Sequence, residues 1–369
     1  MTDDLLGRRP AATVVITNHN YGRFLDQAIH SALAQRDVHV EVIVVDDGSD
    51  DESHDVLAQR RTAITAVRQP NLGQGAAINT GFLFSRGEVV LFLDADDVLD
   101  VDVVARCCDA FAKDPGAVRV QFVLRGIGAA GDDLGTTVPA DPRRLPRGDC
   151  RAAILSRADD LPWQPTSGNA FRATALARVL PMPDEQYRIC ADHHLSNLTP
   201  LLGTVLVLDK PGGRYRVHGS NADHRVGFDL ERTRGIIVRT IATHDSIARL
   251  ATEEGLIREG ELDIKSVTSP ASRLVSLRLD RAAHPIEGDR RAALVAEGLR
   301  AAKARQDINV VRRFAIATWF VVAASAPKVA LRGLATVALR SSTQASSPGT
   351  MRRAWRRTNR GRPDPTIVP

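Results

Sequence analysis

Over the first hundred residues, short apolar runs alternate with segments of helical period. Residues 12–17 (ATVVIT) and 40–45 (VEVIVV) predict strands covered on both faces of a sheet. Between them Leu25, Ala28, Ile29, Ala32 and Leu33 recur at helical spacing. The polar stretch Asp46-Asp-Gly-Ser-Asp50 ends the second run, where Ser49 or Asp50 is placed to cap a short helix reaching about Arg60. A third strand is expected near 64–68, followed by a loop over 69–75. The helix after it carries Ala76, Ala77 and Gly81, small enough for close packing on a sheet. Residues 89–93 (VVLFL) predict a fourth strand that stops at Asp94-Ala-Asp-Asp97, and Asp100 is placed to cap the next helix. Such alternation predicts an α/β fold with a mostly parallel sheet and right-handed crossovers.

Residues 125–165, rich in Gly, Pro and Asp, read as loops around one short helix. The pattern resumes at 168–172, with a helix from about Ala173 and a strand over 204–208. From about Gly227 to Arg340 only helical periodicity remains. The chain is therefore expected to divide into an α/β domain over 1–226, a helical appendage over 227–340 and a basic, disordered tail over 341–369.

Composition narrows the function classes. With 43% hydrophobic and 25% charged residues the chain can bury a sizeable core, which excludes a wholly disordered protein. Aromatics at 4% are too scarce for a platform that stacks single-stranded nucleic acid. The net charge of +5 belongs to the tail: residues 341–369 hold six arginines and one aspartate, a difference of five. The remainder is formally neutral, and no nucleic-acid partner is expected. Cys107, Cys108, Cys150 and Cys190 form no CxxC pair and read as small apolar residues of a reducing compartment. Residues 1–10 contain no apolar run, so a cytoplasmic chain without a signal peptide is expected.

In open α/β sheets ligands bind outside the carboxyl ends of the strands. Here three successive strands end in Thr17-Asn-His-Asn20, in Asp46-Asp47 and in Asp94-Ala-Asp-Asp97, and these ends converge on one crevice. Carboxylates gathered there repel unless a cation or hydrogen-bond donors compensate. Asp94 and Asp96, two residues apart on a chain leaving a strand, can both reach one hard divalent ion. A lone Asp at a strand end is more often a turn residue or a helix cap. The joint occurrence on consecutive strand ends is what favours chemistry.

Three blocks carry a family resemblance: Val44-Val-Asp-Asp-Gly-Ser-Asp50, Asn71-Leu-Gly-Gln-Gly-Ala-Ala-Ile-Asn79 and Gly87-Glu-Val-Val-Leu-Phe-Leu-Asp-Ala-Asp-Asp97. Together they resemble the family 2 glycosyltransferases of bacterial type, over about residues 11–221. The resemblance implies the GT-A fold, a Rossmann-like and mostly parallel sheet flanked by helices. It implies an inverting transfer from a nucleoside-diphosphate sugar, UDP-linked in the commonest case, to a hydroxyl of a glycan or lipid-linked acceptor. It also implies Mg2+ or Mn2+ as cofactor, and a role in building cell-envelope polysaccharide.

Residue by residue, the resemblance assigns Thr17 and Asp47 to the nucleobase, with His19 standing where many members have tyrosine. Asp94 and Asp96 match the ribose-diphosphate and metal site. Asp94, Asp96 and Asp97 all remain candidates for the metal itself, Asp96 being favoured. Ser167, Gly168 and Asn169 fall in a block that resembles an acceptor-side loop. Ala191-Asp-His-His stands where the family carries an acidic pair, which leaves Asp192 as the general base; the bland reading makes it the cap of a helix starting at His193. Within Tyr215-Arg-Val-His218, followed by Asn221, Arg216 is expected on the diphosphate side and His218 at the metal. Ala191 favours an alternative, a nucleotide-sugar-binding protein with degenerate catalysis. A nucleotidyltransferase would open with a Gly-rich, Arg- or Lys-bearing loop after the first strand, and Thr17-Asn-His-Asn-Tyr-Gly22 is no such loop.

Residues 314–324 are strongly apolar but stop far short of the roughly 20 needed to span a bilayer. Trp319 and Phe320, with the arginine-rich tail behind them, suggest helices over 310–340 lying on an anionic membrane at its inner face. The competing expectation is that these helices pack against the rest of the protein.

Overall fold

The computed structural model describes residues 10–218 and 228–342, with side chains as far as Thr336. The first nine residues, Asn221, the 226/227 boundary and nearly all of the basic tail lie outside the described residues.

Among the described residues eleven strands and twelve α-helices follow in order: β1 Ala12–Asn18, α1 Gly22–Leu33, β2 Val40–Asp47, α2 Ser53–Arg60, β3 Thr65–Gln69, α3 Gln74–Phe84, β4 Val89–Asp94, β5 Val98–Leu99 and α4 Val103–Lys113. Next come β6 Ala117–Gln121, β7 Leu124–Gly128, β8 Asp133–Val138, α5 Arg151–Arg157, β9 Asn169–Arg172, α6 Ala173–Val179 and α7 Asp192–Leu198. β10 Thr204–Val207 and β11 Gly213–Val217 precede the helices α8 Leu230–Glu253, α9 Thr268–Leu279, α10 Arg291–Ala304, α11 Val310–Ser325 and α12 Lys328–Ser342.

The described residues pack as two compact units. Residues 10–150 and 163–218 form the α/β unit, and residues 151–162 with 228–342 form the helical unit. The α/β unit is a seven-stranded sheet in the order β10-β6-β9-β4-β1-β2-β3, parallel throughout except for β9. This is the mostly parallel sheet flanked by helices expected from the alternating pattern. β1 is fully apolar in its middle because both faces are covered: Val14, Val15 and Ile16 are entirely buried. Each such side chain contributes roughly 1.5–3 kcal/mol by leaving water. Parallel register sets Thr17 beside both Val45 and Asp94, and Asn18 beside Asp46, so the polar strand ends lie level at one edge.

A second sheet, β5-β11-β7-β8, was not legible in the pattern. Residues 125–165, expected as loops around a short helix, instead contribute most of the β7–β8 hairpin before α5. Gly126, Gly128, Asp133 and Gly135, which read as loop signals, lie in these strands, and Gly131 and Asp132 make the turn between them. Two expected caps also differ. The Asp51 carboxylate, not Ser49 or Asp50, accepts from Ser53 N at the start of α2 (3.0 Å). Asp100 caps no helix; its carboxylate pairs with Arg125 (2.5 Å).

The helical unit has its own core, in which Leu274, Leu294, Phe320, Ala323, Leu331 and Ala335 meet. Residues 158–160, which follow α5, are bound into it: Asp159 accepts from His244 (2.9 Å), and Asp160 accepts from Thr268 Oγ1 and Arg305 (2.8 Å each). Phe320, expected on an outer apolar surface, is buried here against Gly298 of α10, where an added Cβ would lie 2.3 Å from its ring. Trp319 is half-buried and donates its indole N–H to Leu334 O (3.2 Å). Among the described residues no helix is long and apolar enough to cross a membrane.

Candidate functional site

The ends of β1, β2 and β4 frame a crevice whose loops are ordered by two glycines. Gly48 (φ +74°) and Gly73 (φ +97°) adopt backbone conformations that side chains rarely tolerate. A Cβ on Gly73 would also lie 2.5 Å from Arg188 Cα, so the loop before α3 rests directly on the segment leading to Asp192.

Asp47 organises this loop from beneath. Its carboxylate accepts from Gln69 Nε2 (2.8 Å), Leu72 N (2.9 Å) and Gly73 N (2.7 Å), and it is buried. Expected against the nucleobase, it here spends three acceptor positions on the chain itself. His19 lies at the same corner, its Nε2 3.0 Å from Asn71 Nδ2, and Arg188 donates to Asn71 Oδ1 (2.9 Å). His19, Asn71 and Arg188 thus form a row of polar edges on the open side.

At the end of β4 the carboxylates crowd together. Asp94 Oδ1 accepts from Gln74 Nε2 (2.8 Å) and from Thr17 Oγ1 at the outer limit of 3.5 Å, while Asp94 N donates to Ser167 Oγ (3.1 Å). Desolvation, then the charges of Asp96 and Asp192, push Asp94 up to about 7. The same burial, with Asp96 and Asp94 beside it, raises Asp97 well above the usual carboxylate range. Asp97 Oδ1 accepts from Arg216 N (2.9 Å), whereas its Oδ2 is buried and meets no donor among the described residues. Asp96 Oδ2 lies 3.0 Å from His218 Nε2.

Arg216 takes a different place from the one expected. It is 2% exposed, and its guanidinium turns inward over the Phe24 ring. It donates to the backbone oxygens of Asp96 (2.8 Å), Gly128 (3.3 Å) and Ala129 (3.1 Å), and to Gln27 Oε1 (2.5 Å). A guanidinium committed to four oxygens on three segments braces the loop after β4. It presents no free edge to a diphosphate. The exposed cation at this corner is Arg23, whose Nη2 is 3.5 Å from His218 Nδ1.

The third side is the turn into α7. Asp192 is the first residue of that helix and half-buried, with Ala191 at the N-cap position. Gln74, which motif reasoning passed over, ties this turn to the carboxylates. Its Oε1 accepts from Ala191 N (3.1 Å), while its Nε2 reaches Asp94 Oδ1 and Thr166 Oγ1 (3.3 Å). It lies within the Asn71–Asn79 block, but nothing in that block marks its role, which exists only through three tertiary contacts.

Ser167 is buried against Asp94 and Asp97, so it belongs to the carboxylate wall. Gly168 pairs its carbonyl with Phe122 N (3.0 Å). Asn169 faces into the sheet: its Oδ1 accepts from Arg119 Nη2 (2.7 Å) and Nε (2.9 Å), and its Nδ2 donates to Pro165 O (2.8 Å). The structure therefore brings Thr17, Asp94, Asp96, Asp192, Ser167 and His218 to one place. It leaves Asp47, Arg216, Gly168 and Asn169 as supports behind it.

The donor set fits a hard divalent ion. Acids crowd this corner, Asp97 Oδ2 meets no donor among the described residues, and the oxygen and nitrogen of Asp96 and His218 stand 3.0 Å apart. Neighbouring ligands held at about 2.1 Å in octahedral geometry are separated by about that distance. Among the described residues no three His, Cys, Asp or Glu side chains gather as a complete metal cage. Two protein ligands suffice where substrate phosphates and water supply the rest.

Comparison with known proteins finds similarity to glycosyltransferases. Residues 13–180 match the model of glycosyl transferase family 2. An uncharacterized glycosyltransferase of Nostoc sp. is 36% identical over 215 residues, covering 57% of this chain and 65% of that protein. The succinoglycan biosynthesis protein ExoO of Rhizobium meliloti is 27% identical over 266 residues, 71% of this chain and 72% of that one. The chondroitin synthase of Escherichia coli is 34% identical over 130 residues, 34% of this chain and 19% of its own length. The chain thus spans just under two thirds of the Nostoc relative and a fifth of the synthase. Residues 13–180, which carry the strand-end carboxylates in the order described, are the part of the chain that matches glycosyl transferase family 2 and is similar to these glycosyltransferases.

Proposed function

We propose that the protein transfers a sugar, with inversion, from a nucleoside-diphosphate donor to a hydroxyl of a glycan or lipid-linked acceptor. UDP-linked donors are the first candidates. The observation that carries this reading is the convergence of Asp94, Asp96 and His218 with the turn bearing Asp192, joined through Gln74. Crowded carboxylates facing a nucleotide crevice suit a bound cation and a diphosphate better than they suit any purely structural role.

Asp96 and His218 would hold Mg2+ or Mn2+, which when bound supplies Lewis-acid neutralisation of the departing diphosphate. Thr17 and the His19–Asn71–Arg188 edge receive the nucleoside, and Asp94 orients the ribose-diphosphate side. Asp192 takes the proton from the acceptor hydroxyl as its oxygen bonds to the anomeric carbon. The bond from that carbon to the phosphate oxygen breaks in the same displacement, and the diphosphate leaves with the electron pair. General-base assistance of this kind contributes roughly 10²–10⁴-fold. Arg216 and Asp47 act as positioning residues.

An acceptor carried on lipid places the enzyme at the inner face of the cell membrane, attached peripherally. Ala191 keeps a second reading in view, a binding protein without turnover, because the usual acidic partner of Asp192 is missing. A panel of nucleotide sugars, assayed for binding by calorimetry and for sugar release by proton NMR with and without Mn2+, separates the two. Metal-dependent release of sugar with inverted anomeric configuration supports the transferase. Binding without release supports the second reading.

A further inference from the structure

Helix α11 is apolar on both sides, and only one side is covered. Inward, Phe320 and Ala323 complete the core of the helical unit. Outward, Val311, Phe314, Thr318 and Val322 recur at helical spacing along one stripe. Val311 is 78% exposed, Phe314 74% and Val322 43%, and Val329 at the start of α12 is 85% exposed. Single exposed apolar residues are ordinary, but a charge-free stripe along a whole helix marks an interaction surface. Beside it, a groove of about 850 Å³ opens between α11 and α12, lined by Trp319, Val322, Pro327, Ala330 and Leu334.

We infer that this stripe seats α11 in the interface of an anionic phospholipid bilayer. The charge around it chooses the partner. From Ile308 to Pro363 the sequence contains eleven Lys and Arg and no Asp or Glu. Arg312 is exposed beside the stripe, and Lys328 and Arg332 are exposed on α12. An apolar face set among cations matches acyl chains beneath anionic headgroups. A second copy of the chain fits poorly, because a two-fold contact would bring two all-cationic segments face to face. The helix lies on the surface and does not cross it, since none described is long and apolar enough to span. The inserting residues are Val311, Phe314 and Val322, on the face opposite Phe320. This deepens the membrane-side placement above and is independent of the chemistry in the crevice.

The test uses the full chain. Removing 310–369 would strip Phe320, Ala323, Leu331 and Ala335 from the core, so surface substitutions are the sound variants. Sedimentation with phosphatidylglycerol–phosphatidylcholine vesicles is compared with phosphatidylcholine alone, at low and high salt. The expected result is binding to the anionic vesicles at low salt, weakened by salt, and lowered at least about tenfold in Val311→Ser/Phe314→Ser with an unchanged unfolding temperature. A Phe314→Trp variant gives a second readout: its extra emission should blue-shift on vesicles and be quenched by brominated lipid. Absence of binding at low salt overturns the inference. So does equal binding by the double variant, with the added emission of Phe314→Trp left unquenched, which would assign attachment to the tail. So does a concentration-dependent dimer that the double variant abolishes, which would make the stripe a self-interface.

Discussion

Asp96 Oδ2 and His218 Nε2 stand 3.0 Å apart although 122 residues separate them in sequence. The second sheet creates this contact. β11 runs antiparallel to β5, which begins directly after Asp97, so the residue that follows β11 is delivered beside the carboxylates that follow β4. Arg216, two residues earlier, fastens the same loop through the Asp96 carbonyl. A motif near residue 95 and one near residue 217 thereby become one site.

Asp96→Ala should abolish the response of UDP binding to Mn2+ while leaving the fold intact, because it removes one carboxylate from a mutually repulsive group. Calorimetry with and without metal, beside a thermal melt, checks both halves. A variant whose UDP affinity still rises with Mn2+ as in the parent would remove Asp96 from the metal site.

Gln74→Leu deletes the bridge between Asp94 and the Asp192 turn at nearly constant volume. The expected outcome is a kcat at least about tenfold lower with the donor KM little changed. A stability loss of roughly 1–3 kcal/mol should accompany it, as for other buried partners left unsatisfied. Steady-state kinetics and denaturant unfolding measure the two effects. Parental kcat would show that the bridge does not position Asp192.

In the helical unit, desolvation disfavours the charged form of His244, but the hydrogen bond and charge of Asp159 outweigh it, and its pKa is raised. A raised histidine binds its proton more tightly in the folded state. Its stabilisation is complete below the ordinary value of 6.5 and fades as pH climbs through the folded value. The parent should therefore lose more unfolding free energy between pH 6 and pH 8 than His244→Gln. Parallel pH profiles for the two proteins would contradict the pairing.

Much of the crevice was legible because parallel strands buried on both faces read as apolar runs, and the residues that interrupt them stand out. Thr17, Asp94 and Asp96 were found that way. The second sheet escaped because Gly126, Gly128 and the turn around Gly131 look like loop, and because β11 spans only five residues. The family resemblance assigned Arg216 and Asn169 to the open side; both are buried instead, and hydrogen bonds offset that burial. Phe320 and Phe314 sit on one apolar helix whose buried side the pattern could not choose. Only packing against Gly298 decides it.

Asp192 is proposed as the base of a metal-dependent glycosyl transfer. The direct measurement is the rate of UDP release from UDP-sugars by the parent and by Asp192→Asn, with Mn2+ present or chelated. The account predicts release by the parent that requires metal, and release at least about a hundredfold slower in Asp192→Asn at unchanged donor affinity. Equal rates in the two proteins, or no release by the parent from any nucleotide sugar that it binds, would contradict it.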